Sequence, residues 1–398
     1  MTDFDEIRGI ARSLESKIVD FLRDIIAIPS FDSEKDVIDR IRSEMETVGY
    51  DEIRIDRMGN LLGRLGSGSR TIAIDGHCDT VSTGNPGNWE IDPLTGRYSD
   101  GYVYGRGATD QKGGIASMVY SAEILKKTGI PDDITVWHVI SIREEEYEGV
   151  NWQYLVREEK LKPDIVLLTE PTNLDICIGQ RGRVDIKVRT NGVSCHGANP
   201  HLGENAIYKM TPVLRDIEKM NLKFPEIDAL GKGTITVTGI CSTSPSINAI
   251  ADSAEIHIDR RLTKGDTLES AVNEIKELSS VLEADADVYV PEFNLKTYTG
   301  LEYPCKSYYA TWLMEKTHPA VRNAAKTYEL LFNKKPDVRP WNFSTNGVAT
   351  RGIFDIPTIG LGPSDELLAH TTEEKVSVQH LTDASAFYAS FVKNYNIE

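Results

Sequence analysis

No Cys-X-X-Cys pair occurs in this chain, and its five cysteines, Cys78, Cys177, Cys195, Cys241 and Cys305, are scattered and odd in number. That usage argues against a disulfide framework and suits a reducing cytoplasm. Cys78 and Cys195 each stand beside a histidine, but a lone cysteine is most often a small buried hydrophobe. Basic residues are under-represented: 44 Lys and Arg against 61 Asp and Glu, a formal net charge of -17. Such a surface repels nucleic acid and anionic membranes, although one arginine inside a cleft can still hold an anionic small substrate. Long apolar runs are missing, with none near the roughly 18 residues that signal a membrane span. The first residues, MTDFDEIRGIARSLESKIVDFLRDII, lack a basic n-region and an apolar h-region and read as an amphipathic acidic helix. GSGS at 66–69 lacks the Lys-Ser/Thr of a phosphate loop, and GQRGR at 179–183 lacks dinucleotide-fingerprint spacing, so both read as turns. There is no internal repeat and no long low-complexity linker.

What is present is ordered in blocks. At 398 residues, 40% hydrophobic and 26% charged, the chain can bury a large core and fill two domains. Residues 1–182 alternate helices with near-continuous apolar strands such as TIAIDGH, DITVWHVISI and DIVLLTE, the pattern of a mostly parallel sheet covered on both faces. Residues 183–298 change character: strand VDIKVRTNG, helix NAIYKMTPVLRDIEKM, strands GTITVTGI and SAEIHIDRRL, helix TLESAVNEIKELSSVL and strand ADVYVPEF. That β-α-β-β-α-β order is ferredoxin-like. Residues 299–398 return to the first style and end in the helix VSVQHLTDASAFYASFVKNY. The expectation is one α/β domain interrupted by an inserted α+β module.

Polar residues gather where the strands end, which is where open α/β sheets hold ligands. Strand 71–76 runs into His77 and Asp79, two residues apart and so able to share a face of an extended chain. GRGATDQKGG places Asp110 in a Gly-rich turn before a helix, REEEYEG supplies Glu144, Glu145 and Glu146, TEPT supplies Glu170, and LGPSDELLAHTTEE supplies His370. Each has an ordinary explanation, an N-cap or a solvated acidic loop. Together, two histidines and at least three carboxylates suit two divalent ions such as Zn²⁺ bridged by one carboxylate.

The motifs GHCDTV, GRGATDQKGG, REEE, TEPT, VSCHGANPHLGENAI, INAIADSAEIHIDRRLT and AHTTEE resemble, over nearly the whole chain, the dinuclear zinc aminoacylase and carboxypeptidase G family. That family includes acetylornithine deacetylase and succinyl-diaminopimelate desuccinylase. The resemblance implies a zinc-peptidase-like catalytic domain with a lid, and two divalent ions, Zn²⁺ with Co²⁺ or Mn²⁺ as alternatives. It implies that His77 and Glu170 serve the first ion, Glu145 and His370 the second, and Asp110 both. Asp79 would orient His77, and Glu144 would be the general base. The triple Glu also admits a shift by one, to Glu145 and Glu146; counting from ITVWHVISI favours 144 and 145. On the lid, His196 matches a histidine often delivered across a homodimer, with His201 a weaker candidate. Asn248 and Arg261 match substrate-binding positions, and Asn346 and Gly347 fall in a substrate loop. Ala251 departs from the family, which has Pro there, and the EYEG loop is longer than the family's.

The resulting expectation is a cytoplasmic, homodimeric amidohydrolase that cleaves an N-acyl, peptide or ureido bond beside a carboxylate-bearing amino acid. A dinuclear aminopeptidase and a metal-binding homologue without activity are the rival readings. The chain is also similar to bacterial hydrolases associated with selenium and purine metabolism, which keeps a ureido substrate open.

Overall fold

The computed structural model describes residues 3–226 and 229–395. The larger unit is built on an eight-stranded mixed sheet. At its centre, strand Arg70–His77 pairs in parallel with Ile134–Ser141 on one side and Ile165–Leu168 on the other. These strands are rich in Ile, Val and Leu and buried on both faces. That is what a parallel sheet covered on both sides requires. Parallel pairing has a direct consequence: the carboxyl ends of all three strands lie along one edge. His77 stands level with Ser141 there, and the segments leading to Glu144 and Glu170 leave from the same edge.

Helix Lys112–Thr128 packs against strand Arg70–His77, and helix Val378–Asn394 packs on that helix. The first helix opens with Gly113 and Gly114, a costly start at about 1 kcal/mol each relative to Ala. Packing requires it. A Cβ on Gly114 would come within 2.5 Å of the Thr169 carbonyl, and one on Gly113 within 2.5 Å of that of Ala108. The glycines let the helix press against the loops that carry Asp110 and Glu170. The N-terminal segment forms two helices, Asp3–Ser13 and Glu15–Ile26, broken at Leu14, where the sequence pattern suggested one.

The inserted unit follows the expected order. Its antiparallel sheet runs Thr234–Thr243, Ser253–Leu262, Gly182–Asn191, Asp287–Tyr289, with helices Ala206–Asn221 and Leu268–Lys276 over one face. Alternate residues Val184, Ile186 and Val188 meet Ile256 and Ile258 in a separate apolar core. GQRGR, expected as a turn, is the extended entry into this unit: Gly179–Gln180 is a short strand, and Gly182 begins the next. A hairpin, Glu292–Lys306, was not anticipated. It packs back on the larger unit, with Leu295 in the main core and the Tyr298 hydroxyl donating to the Gly59 carbonyl at 2.9 Å. The boundary drawn at 298 falls in the turn of this hairpin. Among the described residues no helix is long and apolar enough to cross a membrane.

The core also holds one uncharged histidine. His138 is fully buried, with Nδ1 2.6 Å from the Tyr50 hydroxyl, and burial pushes its pKa down to about 3. Unfolding would return it to about 6.5, so its contribution to stability is complete above that value and is lost as pH falls towards 3. Between pH 7 and 5 the metal-free protein is predicted to lose about 2 kcal/mol through this group. Denaturant melts of His138→Leu should show a shallower pH slope than the parent, and equal slopes would contradict the assignment.

Candidate metal centre

The strand exits converge as expected. His77 is buried at the end of its strand, and its Nδ1 donates to the Asp79 main-chain carbonyl at 2.9 Å. The Asp79 carboxylate is a longer 3.5 Å away, and its other oxygen accepts the Glu145 N–H at 3.0 Å. The Asp79 main chain thus fixes the imidazole while its side chain fixes the neighbouring Glu loop. Asp110 does not cap its helix; Gln111 holds the cap position without a side-chain bond. Instead, one Asp110 oxygen lies 2.9 Å from His77 Nε2 and the other 3.2 Å from His370 Nε2. A single buried carboxylate therefore spans both histidines.

Glu145 completes the second corner. Its Oε2 is 2.9 Å from His370 Nε2, and its Oε1 accepts the Val81 N–H. On the other side, Glu144 and Glu170 each lie 3.8 Å from His77 Nε2. Glu146 turns away to solvent and pairs with Arg143. Possible ligand atoms of His77, Asp110 and Glu145 fall within 4.8 Å of one another, as do those of His77, Glu144 and Glu170.

Electrostatics shows what this cluster lacks. Burial pushes the Glu144 and Glu170 carboxyls well above the carboxylate range, and neighbouring carboxylates add to the push. Burial alone would lower the His77 pKa, yet Glu144, Asp110, Asp79 and Glu170 hold it well above 6.5. Hydrogen bonds to Asp110 and Glu145 raise His370 to about 10. The surrounding carboxylates thus favour positive charge at both histidines. Glu144 Oε1, Glu170 Oε2 and Asp79 Oδ1 are buried with no hydrogen-bond partner among the described residues. Unpaired buried oxygens of this kind are expensive unless a cation satisfies them. The imidazole and carboxylate donors fit two borderline-hard divalent ions.

The remaining candidates fall elsewhere. His196 and Asn248 are exposed on the lid, beside a cleft of about 500 Å³. Gly197 N donates to the Asn248 carbonyl at 2.7 Å, and His196 Nδ1 accepts from Ala198 N. Arg261 is half-exposed, and its Nε and Nη2 already hold the two Asp259 oxygens at 2.8 and 2.9 Å. Only its Nη1 side remains for a ligand. Asn346, expected to meet substrate, is buried. Its amide nitrogen donates to Asp75 and Ser141, and its oxygen accepts from Gly149 N. That arrangement makes it a brace between the two central strands and the loop at Gly149, and neighbouring Gly347 is needed because a Cβ would meet the Trp312 ring at 2.4 Å. Cys78 is buried, and burial raises its thiol pKa well above 9, which disfavours a thiolate ligand. Sequence reasoning missed Glu148, in the lengthened Glu loop, where one buried oxygen has no partner among the described residues and burial raises the carboxyl pKa, with Arg183 and Arg261 of the lid pulling the other way.

A family model described as "Peptidase family M20/M25/M40" matches residues 73–394, spanning all seven clustered side chains. The chain belongs to this peptidase family. It is 44% identical to the uncharacterized protein YgeY of Escherichia coli K12, over 96% of this chain and 94% of that one. It is 25% identical to the succinyl-diaminopimelate desuccinylase of Corynebacterium glutamicum, over 92% and 94% of the two chains. In fold it is similar to the crystal structure of aminopeptidase PepT from Bacillus cereus, with a TM-score of 0.71, 20% identity, and 96% and 98% of the chains covered. As a member of the M20/M25/M40 family, it is a metal-dependent hydrolase of amide bonds.

Loss of Asp110 should affect both ions, because its two oxygens pair with both histidines. Metal analysis after gel filtration is predicted to find about two ions in the parent, one in His370→Ala and fewer than one in Asp110→Ala. Equal retention of one ion in both variants would remove Asp110 from the bridging position.

Proposed function

We propose that the chain is a cytoplasmic dinuclear hydrolase cleaving an N-acyl, peptide or ureido bond next to a carboxylate-bearing amino acid, with Glu144 as general base. The observation that carries this reading is the Asp110 carboxylate spanning His77 and His370, with Glu144 buried beside it. Desuccinylases among its relatives and peptidases among its structural neighbours support an acylated amino acid or a peptide as substrate.

When bound, paired divalent ions lower the pKa of a shared water and withdraw charge from a carbonyl. The chain's own residues do the rest. Glu144 holds one oxygen with no hydrogen-bond partner among the described residues, so it can accept the proton of the attacking water and pass it to the departing nitrogen. Glu145 is already engaged by His370 and Val81 N, which suits a ligand better than a base. Arg261 offers its unpaired Nη1 edge to the substrate carboxylate. An aminopeptidase would instead need a carboxylate for a free amine, and comparing acyl-amino acids with aminoacyl amides separates the two.

His196 is proposed to donate to the developing oxyanion of a partner subunit. Strand Thr234–Thr243 is a free sheet edge, and Ile240, Ile247 and Tyr208 are exposed on this unit, with Ile247 almost wholly bare. Exposed edges and apolar side chains of this kind invite pairing with a second copy.

Glu144→Gln is expected to retain its metal and lose several orders of magnitude in kcat, with Glu146→Gln nearly silent. The reverse pattern would move the base by one position. Mixing inactive Glu144→Gln chains with inactive His196→Ala chains should restore roughly a quarter of parental activity, since half the dimers are mixed and each has one intact site. No recovery after exchange, or a strictly monomeric protein, would rule out action across subunits.

A further inference from the structure

Four residues beyond His370, in AHTTEE, Glu374 is completely buried in the loop network behind the site. Its Oε1 accepts three main-chain N–H groups at once: Gly107 at 2.9 Å, Thr109 at 3.0 Å and Asp110 itself at 3.0 Å. Its Oε2 accepts from the buried Arg106 Nη1 at 2.6 Å. Arg106 also reaches the Thr371 carbonyl at 3.5 Å, next to His370. The Thr109 hydroxyl joins the same seam, bonded to Lys375 O and Ser364 Oγ. One carboxylate therefore closes the Gly-rich turn that presents Asp110 and ties it to the segment that presents His370. His370 has a left-handed backbone (φ 63), a conformation that persists only where the surroundings hold it.

We infer that Glu374 is a positioning residue for the metal centre, setting the spacing between Asp110 and His370 and hence the affinity of the ion those two share. The inference rests on the dinuclear reading. Two of that ion's ligands, Asp110 and His370, stand on the clamped segments. The other ion takes only Asp110 from them, its remaining donors, His77 and Glu170, coming from strand exits. Loss of the clamp should therefore weaken the two ions unequally. A residue that merely supports the fold would lower thermal stability without separating them. Glutamine at 374 keeps an acceptor for the three N–H groups but turns an amide N–H₂ towards Arg106, so one of the four bonds joining the Gly-rich turn to the His370 segment is lost, the Arg106 charge is left unanswered, and the tie loosens.

The test is a Co²⁺ titration of the full-length metal-free protein, followed by visible absorption and by equilibrium dialysis, with a thermal melt of each metal-free variant. The parent titration asks separately whether two ions bind; one ion or none there refutes the dinuclear reading rather than the clamp. In Glu374→Gln one ion is expected to lose at least tenfold in affinity and the other less than threefold. Unchanged affinities, or equal losses at both sites, would overturn the inference. Glu374→Asp keeps the charge but withdraws the oxygen, and should show the same split if the glutamine variant does not fold. A folded Glu374→Asp binding both ions as the parent does would overturn it, as would failure of both variants to fold.

Discussion

Repulsion among buried carboxylates is the constraint on which the site depends. Asp79, Asp110, Glu144 and Glu170 are all almost fully buried, and Glu145 adjoins them. Such a group cannot stay ionised at neutral pH without compensating positive charge. The carboxylates hold the pKa values of His77 and His370 above the usual imidazole value, and divalent ions would supply the positive charge while leaving the imidazoles free to act as ligands. The surrounding fold resists the same repulsion mechanically. Parallel strands hold His77, the Glu loop and Glu170 along one edge, the glycine-led helix closes from below, and main-chain N–H groups from Val81 and Glu145 tie the acidic loops together.

The lid stands apart from this cluster, and its polar groups are arranged differently. Charges on its sheet face pair with each other, Arg261 with Asp259, and Lys187 and Arg189 with Glu255. A partly exposed pair such as Arg261 with Asp259 contributes little to stability, about 0 to 1 kcal/mol, whereas Glu255 is largely buried and also accepts from the Tyr289 hydroxyl. The buried carboxylate and histidine cluster and the lid's paired charges are thus carried on separate cores.

Much of this was legible in the sequence because it is local. An apolar strand that stops on His-Cys-Asp, or on Arg-Glu-Glu-Glu, announces both the element and its functional end. The β-α-β-β-α-β order of the lid is likewise written in two-residue and helical periodicities. Less legible were roles that depend on distant partners. Asn346 looked like a ligand residue, but its amide is taken by Asp75, 271 residues away in the chain. Hairpin Glu292–Lys306 has alternating, mostly half-exposed residues, and only its docking against Tyr147 and Gly59 gives it a place. Glu374 sat in a motif noted for its histidine, with nothing local to reveal the three N–H groups it gathers. Arg261 was readable as an arginine facing Asp259, yet which of its edges stays free is a matter of side-chain geometry.

The account turns on Asp110 as the carboxylate between two ions. Anomalous difference maps from crystals of the full chain grown with Zn²⁺ test this directly. Two peaks about 3.5 to 4 Å apart are predicted, one beside each Asp110 oxygen, with His77 at one and His370 at the other. A single peak, or two peaks that do not share Asp110, would contradict it.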